Sequence, residues 1–467
     1  MKTNICQDLF KENLIMLSLQ FINILFKTML QTLESFVSQL AGWMWGAPLL
    51  ILLFGTHIYL TFQLRGIQFR TLPLAFKIVF SRSDQDGDIS HFSTLMTALA
   101  ATVGIGNIVG VATAITLGGP GAIFWMWLTA LFGMSTKYSE ALLAVKYREK
   151  GPNGMRGGPM YYIAKGAGLP WLGSVFAVCT FLAAFGAGNM VQANATASIF
   201  LNVFGIPTMW TGGALAILAG LVIVGGIKSI GRFASFFVPF MILLYVGTVL
   251  FVLVIRFDEI PGAFSLIFSH AFNGHAATGG FVGATLAAAI RFGVARGLFS
   301  NEAGLGSAPI VAAAAKTNDP VRQALVSMTG TFIDTIIVCT LTALVILTTD
   351  VWTEGISAAE LTARSIAVTL GNTGATIVAV CSALFAFSTL IGWSYYGEKA
   401  IEYLFGARVV SFYKVIFSLL IFVGATMSLA FVWNFSDVMN GMMVIPNLIG
   451  ILLLVKILKS ETNRFFK

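Results

Sequence analysis

Charge is scarce in this sequence. Asp, Glu, Lys and Arg together make up 10% of its 467 residues, where a soluble domain carries about 25%. So few charges cannot clothe a water-facing surface, which excludes an ordinary soluble globule. Cysteine is scarcer still. Cys6, Cys179, Cys339 and Cys381 are scattered, with no paired spacing, so no zinc ribbon or redox pair is encoded and they read as small packing residues. Enzyme signatures are also missing. The chain has no phosphate loop of the Gly-x-x-x-x-Gly-Lys type, no His-Glu-x-x-His and no Gly-x-Ser-x-Gly elbow. An ATP-driven pump is thereby excluded, and no enzyme or cofactor is expected. The net charge of +8 is spread too thinly along the chain for a nucleic-acid surface.

Apolar residues are what the chain has in plenty: 57% of the total, with 48 glycines and 40 phenylalanines. Runs of about 20 apolar residues, the length needed to cross a bilayer, recur throughout. The expected spans are 43–63, 93–117, 121–145, 171–203, 211–227, 234–255, 279–299 (continuing toward 314), 323–348, 373–396, 415–433 and 436–455, eleven in all. The third is the least clean, because Lys137 and Glu140 lie near its end. The fold class expected is an all-α integral membrane protein.

Every other loop is basic. Arg65, Arg70, Lys77 and Arg82 follow the first span, and Lys146, Arg148, Lys150, Arg156 and Lys165 follow the third. Lys228 and Arg232, Lys316 and Arg322, Lys399, Arg408 and Lys414, and finally Lys456, Lys459, Arg464 and Lys467 continue the pattern. The alternate loops carry Asp258 and Glu259, Asp350 with Glu354 and Glu360, and Asp437. Lys and Arg collect on the cytoplasmic side. An odd number of spans in a cell membrane follows, with the amino terminus outside and the carboxyl terminus in the cytoplasm. Leu14–Met29 is apolar but interrupted by Gln20, Asn23 and Lys27. It reads as an interfacial helix, or as sequence upstream of a true start at Met29.

Two polar, glycine-rich stretches interrupt the apolar runs five spans apart: Ala100–Gly110 and Arg291–Ser307. Transporters built from inverted repeats place broken helices at corresponding positions of their halves. With the first span set aside, ten remain, which is five plus five. In the first stretch Gly104, Gly106 and Gly110 let a helix unwind, so that free N–H groups bind a carboxylate and free carbonyls bind Na⁺. Close helix packing through small residues is the competing reading. In the second, Arg291, Arg296 and Glu302 form either an internal ion pair or a direct substrate contact. Unwound carbonyls around Gly293 to Gly297 would then receive an ammonium group, and the assignment moves if the helix breaks at Gly304 to Gly306 instead. Asn189, Gln192 and Asn194 suit substrate bonding or helix bridging, with Asn189 and Gln192 on one face. Ser388 and Thr389 offer adjacent hydroxyls to a hard cation. Asp334 is the proton-relay candidate, or a buried acid held by Thr331 or Thr335. Phe181, Met190 and Phe387 are candidate walls for a small side chain, and His57 is read as structural.

The runs Thr102–Ala112, Gly119–Trp127, Gly157–Tyr162, Phe299–Pro309 and Trp45–Pro48 resemble the alanine or glycine:cation symporter family, over about residues 35–460. That resemblance implies a fold similar to the leucine-transporter type, with two inverted five-helix repeats and one extra amino-terminal span. The division expected is an extension at 1–40, the extra span and a cytoplasmic loop at 41–90, repeats at 91–258 and 259–458, and a cytoplasmic tail at 459–467. It implies import of alanine or glycine with Na⁺. It also implies that the N–H groups of Ile105 and Gly106 hold the substrate carboxylate, with Asn107 on the substrate or a second ion. The carbonyls of Ala100 and Val103 with Ser388 and Thr389 would hold Na⁺. A proton-coupled transporter, a channel and a transport-inactive ligand sensor are the rivals.

Overall fold

The computed structural model describes Met29 and residues 31–81, 85–152, 154–272 and 285–467. Cys6, Arg82 and the expected interfacial stretch short of Met29 lie outside the described residues.

The chain opens with α1 (Gln31–Met44) and α2 (Ala47–Gln63), bent by 43° where they meet. The boundary expected at residue 40 falls inside α1. Next come α3 (Ile67–Val79), then α4 (His91–Thr102) and α5 (Gly106–Gly118), bent by 55° at their break. After α6 (Ala122–Lys146), a short hairpin pairs β1 (Glu149–Gly151) with β2 (Gly154–Arg156). There follow α7 (Pro170–Phe204), α8 (Thr208–Ile223), α9 (Gly226–Ile255) and α10 (Ile260–Phe272). The second half runs through α11 (Leu286–Asn301), α12 (Pro320–Leu347) and α13 (Ala358–Phe405) to α14 (Val410–Thr426), α15 (Leu429–Leu453) and α16 (Val455–Phe465).

Each of the eleven expected spans has its helix. Among the described residues, six helices are long and apolar enough to cross a bilayer alone, and the two bent pairs raise this to eight. The other three are α6, which buries Lys137 and Glu140, and α8 and α11, each only 16 residues long. Burial sorts interior from rim. The most apolar stretches of α7 and α12 are 67% buried, while that of α9 is 33% buried. Phe236 on α9 is 81% exposed, a surface only lipid accepts without cost.

Local chemistry sets the ends. Ser90 caps α4 by accepting the Ser93 N–H, and Asp319 caps α12 by accepting the Val321 N–H, with Pro320 in the first turn. Capping also corrects one expectation. Met427 is extended and Ser428 accepts the Phe431 N–H, so the turn between the last two spans comes earlier than the apolar runs suggest. Asp437, expected in an exterior loop, is therefore inside α15. The ninth expected span, 373–396, lies within α13, which is two helices merged across a non-helical Gly371 (φ 60°, ψ −151°) just ahead of that span. The seventh does not continue toward 314, because α11 ends at Asn301. His57 is buried and its Nδ1 meets Thr136 Oγ1 at 2.7 Å, and Cys179, Cys339 and Cys381 are free and buried.

Candidate functional site

The first break follows from its glycines. α4 ends at Thr102, and Val103 leaves the helix at φ −75°, ψ 90°. Two main-chain donors then lose their helical acceptors. The Gly104 N–H donates to Asn107 Oδ1 at 2.9 Å, and the Ile105 N–H donates to Gln192 Oε1 of α7 at 3.1 Å. The Ala100 carbonyl consequently lacks the Gly104 N–H it would accept in a continuous helix. Close approach explains the small residue. A Cβ on Gly104 would stand 2.4 Å from Thr389 Oγ1, and one on Gly106 would stand 3.0 Å from the Phe299 ring. Both the break and the residues around it are buried.

The second break lies beyond α11. Glu302 takes the left-handed conformation (φ 57°), and Gly304 (φ 89°) and Gly306 (φ 85°) continue the turn, which only glycine adopts freely. Gly293 and Gly297, expected in the unwound part, are inside a regular helix. A Cβ on Gly293 would stand 2.4 Å from the Ala122 carbonyl oxygen, so that glycine serves helix packing. The break therefore falls beyond Asn301, at Glu302–Gly306, and not at Gly293–Gly297. Lys137 Nζ donates to the Asn301 carbonyl at 2.8 Å, Ser307 Oγ donates to Glu302 Oε2 at 2.6 Å, and Asn447 Nδ2 donates to Glu140 Oε1 at 2.6 Å and to the Gly304 carbonyl at 2.9 Å.

Asp334 joins the two breaks. Its Oδ1 accepts from Asn107 Nδ2 at 2.8 Å, and its Oδ2 accepts from Ser300 Oγ at 2.6 Å and Thr335 Oγ1 at 2.8 Å. Thr331, the other expected partner, has a buried hydroxyl without a bond. Wide helical turns recur here: Gly106–Gly110 holds Asn107, Phe332–Cys339 holds Asp334, and Gly186–Met190 ends two residues before Gln192. Such turns are rare and cluster at functional sites.

Contacts flank the two breaks on both sides. On one, Phe299 stacks against Trp433 with ring centres 4.8 Å apart, and Arg296 lies over Trp433 at 4.8 Å. Arg296 pairs with Asp437 at 2.5 Å. The expected Arg–Glu pair within Arg291–Ser307 is thus replaced by a bridge between α11 and α15, and Glu302 bonds Ser307 instead. On the other side, the segment before α4 lies along the segment after the second break, through Ile89 N–H to the Ala314 carbonyl at 3.1 Å and Lys316 N–H to the Ile89 carbonyl at 2.8 Å. Arg148 clamps both strands. It donates to the carbonyls of Ala313, Ala315, Asp86 and Thr317 at 2.6–3.0 Å.

Ala100, Val103, Ile105, Gly106, Asn107, Gln192 and Thr389 thus come together around the first break. Ser388 is next in the chain, but its hydroxyl donates to the Phe385 carbonyl at 2.8 Å, while Thr389 Oγ1 is buried with no partner. Asn189 does not share the Gln192 face. Its Nδ2 donates to the Phe417 carbonyl of α14 at 2.7 Å. The rings expected as walls lie elsewhere: Phe181 packs on Phe185 and Tyr413, Phe387 on Phe233 and Phe237, and Met190 on the α14 backbone. Phe299, Trp393 and Trp433 are the large residues near the breaks. Trp393 fits so closely that a Cβ on Gly188 would stand 2.2 Å from it. Lys137 and Glu140 carried a signal that the sequence reading passed over, since ionisable residues inside a span mark pathways.

The model of the sodium:alanine symporter family matches residues 30–467. The chain belongs to the sodium:alanine symporter family. It is 51% identical over 452 residues to the sodium/alanine symporter AgcS of Methanococcus maripaludis, covering 94% of this chain and 97% of that protein. It is 40% identical over 433 residues to the probable sodium/glutamine symporter GlnT of Bacillus subtilis, covering 92% of this chain and 90% of that one. Among solved structures, MhsT in complex with L-phenylalanine superposes with a TM-score of 0.59 at 15% identity, covering 79% of this chain and 90% of that one. This symporter therefore has the leucine-transporter type of fold. It is a multi-pass membrane carrier of the amino-acid symporter class, not an enzyme.

Proposed function

We propose that the chain imports small neutral amino acids, alanine or glycine, by Na⁺ symport with alternating access. One observation carries the reading. At the first break the Gly104 and Ile105 N–H groups are held by side-chain amides, those of Asn107 and Gln192, rather than by helical carbonyls. A substrate carboxylate can take the place of such an acceptor without unwinding anything further. The second break brings Phe299 and Ser300 against Gly106, so carbonyls of Phe299–Glu302 are the proposed ammonium acceptors. The tight ring contacts on Gly106 and Gly188 favour a small side chain.

Na⁺ is proposed between the Ala100 and Val103 carbonyls and the Ser388 and Thr389 hydroxyls. The unpartnered Thr389 hydroxyl beside Gly104 supports this. One helix bundle then rocks about the site, with the Arg296–Asp437 bridge and the Arg148 clamp opening in turn. One charge moved through 100 mV supplies about 2.3 kcal/mol, and each tenfold of accumulation costs about 1.4 kcal/mol. One Na⁺ with a zwitterion thus supports more than tenfold uptake from the potential alone, and transport is electrogenic. A proton-coupled carrier is the second reading. Lys137 with the buried carboxylates Glu140 and Glu302 beside the second break favours it.

The test is uptake of labelled alanine into proteoliposomes, under an inward Na⁺ gradient and, with choline replacing Na⁺, under an inward proton gradient. Concentrative uptake is expected only with Na⁺. Uptake driven by protons alone would overturn Na⁺ coupling, and binding without flux would make the protein a sensor. In the same assay Ser388→Ala with Thr389→Ala should raise the Na⁺ concentration for half-maximal uptake by about tenfold or more, the worth of charge-assisted contacts of ~1.5–3 kcal/mol. An unchanged Na⁺ dependence would put the ion elsewhere.

A further inference from the structure

The elbow between α2 and α3 packs against the last helix, α16, and encloses a cavity of about 700 Å³. Its lining includes Arg65, Arg70, Lys459, Arg464 and Lys467 and, among the described residues, no Asp or Glu. Glu461 pairs with Arg464 at 2.7 Å, but it also pairs with Lys146 at 2.6 Å, so it is shared between two cations. Lys459 Nζ donates to Gln63 Oε1 at 2.9 Å, a neutral partner. Arg65 is held left-handed (φ 55°) ahead of Gly66 (φ 62°). For a non-glycine residue that conformation is strained, and it turns the chain so that Arg65 and Arg70 both reach the cavity.

Large apolar residues lie next in the chain to residues of this lining, Phe62 beside Gln63 and Phe69 beside Arg70, and Phe466 is part of it. Phe62 is 76% exposed and Phe69 is 61% exposed, on the two helices that form the elbow. A cluster of cations next to aromatic side chains open to lipid is the arrangement that accepts a negatively charged headgroup while its acyl chains lie along the protein. We propose that this cavity binds the phosphate headgroup of an anionic phospholipid. The lipid bridges the α2–α3 elbow to α16. Through α16 it reaches α6, because Thr462 meets Tyr138 at 2.9 Å and Glu461 pairs with Lys146.

A soluble phosphate shares the headgroup's chemistry but has no use for the exposed rings, and the test separates the two. The full chain is purified in detergent micelles containing equal amounts of phosphatidylglycerol and phosphatidylcholine, and the lipid that stays with it is counted by mass spectrometry. Wild type should retain phosphatidylglycerol over phosphatidylcholine by about tenfold or more, since each cation near a headgroup is worth roughly a factor of five. Arg65→Gln/Arg70→Gln/Lys459→Gln/Arg464→Gln should lose that preference. Arg65→Lys/Arg70→Lys/Arg464→Lys should keep most of it, as should Lys228→Gln/Arg408→Gln, a removal of charge from a different cavity. If the fourfold variant does not fold, Arg70→Gln and Lys459→Gln alone should each lose about fivefold. No preference in wild type, or an unchanged preference when the charges of Arg65, Arg70, Lys459 and Arg464 are removed, overturns the proposal. Displacement of phosphatidylglycerol by millimolar inorganic phosphate overturns it in favour of a soluble anion.

Discussion

Asp334→Asn should abolish concentrative uptake while leaving a folded protein in the membrane. The carboxylate accepts three side-chain hydrogen bonds, from Asn107, Ser300 and Thr335. An asparagine can keep most of them: its oxygen accepts from Asn107, and its amide group faces two hydroxyls that can turn to accept. What it cannot keep is the negative charge. A unit charge about 5 Å from a bound cation is worth ~3 kcal/mol at an effective dielectric constant near 20, which is a hundredfold or more in affinity. The cation in question is Na⁺ or the substrate ammonium, because the residue joins both breaks. Uptake is measured in proteoliposomes, and folding by size-exclusion and thermal melting in detergent. Near-normal uptake by this variant would make Asp334 a structural brace only. Lost uptake with a lost fold would not be decisive alone, and Asp334→Glu, which keeps the charge on a longer arm, should then restore part of the fold and part of the Na⁺-driven flux.

Gly104→Val should be as damaging for a steric reason. The new Cβ would stand 2.4 Å from Thr389 Oγ1, 3.1 Å from Gln192 Oε1 and 3.3 Å from Thr389 Cβ. Thr389 is β-branched and lies on a packed helix, so it has little freedom to withdraw. Overpacking of this kind costs about 1–3 kcal/mol, and here it falls on the hydroxyl proposed for Na⁺ and on the amide that holds Ile105. Uptake should fall by roughly a hundredfold, with membrane insertion unchanged. Gly110→Val is the matched control, because a Cβ there meets nothing within 4 Å. If both variants transport alike, the first break does not hold the substrate.

The eleven helices were legible because a bilayer imposes one length and one solvent on each of them. The first break was legible too, since glycines beside Thr102 and Asn107 in an apolar run have few other uses. The second was legible only as a choice between Gly293–Gly297 and Gly304–Gly306. Gly293 and Gly297 sit in the sequence much as Gly304 and Gly306 do, yet the first pair lets helices touch and the second pair turns the chain. Only the neighbours, such as Ala122 and Trp125 against Gly293, tell the two uses apart. Asn189 and Gln192 share a face in a regular helix, but the wide turn at Gly186–Met190 shifts the register between them. Asp437 read as a loop acid because its partner, Arg296, is 141 residues away. Pairings across such distances leave no trace in local composition.

The Arg148 clamp has a consequence for how this region tolerates change. Its four bonds all end on main-chain oxygens, which every amino acid carries. The clamp therefore recognises the path of the backbone and ignores the side chains hung upon it. Replacements at Ala313, Ala315 or Thr317 leave its acceptors in place wherever the new side chain fits, whereas a lysine at 148 offers one nitrogen where the planar guanidinium offers several. Natural variation should accordingly be almost nil at residue 148, while at the buried Ala313, Ala315 and Thr317 it should be limited by packing alone.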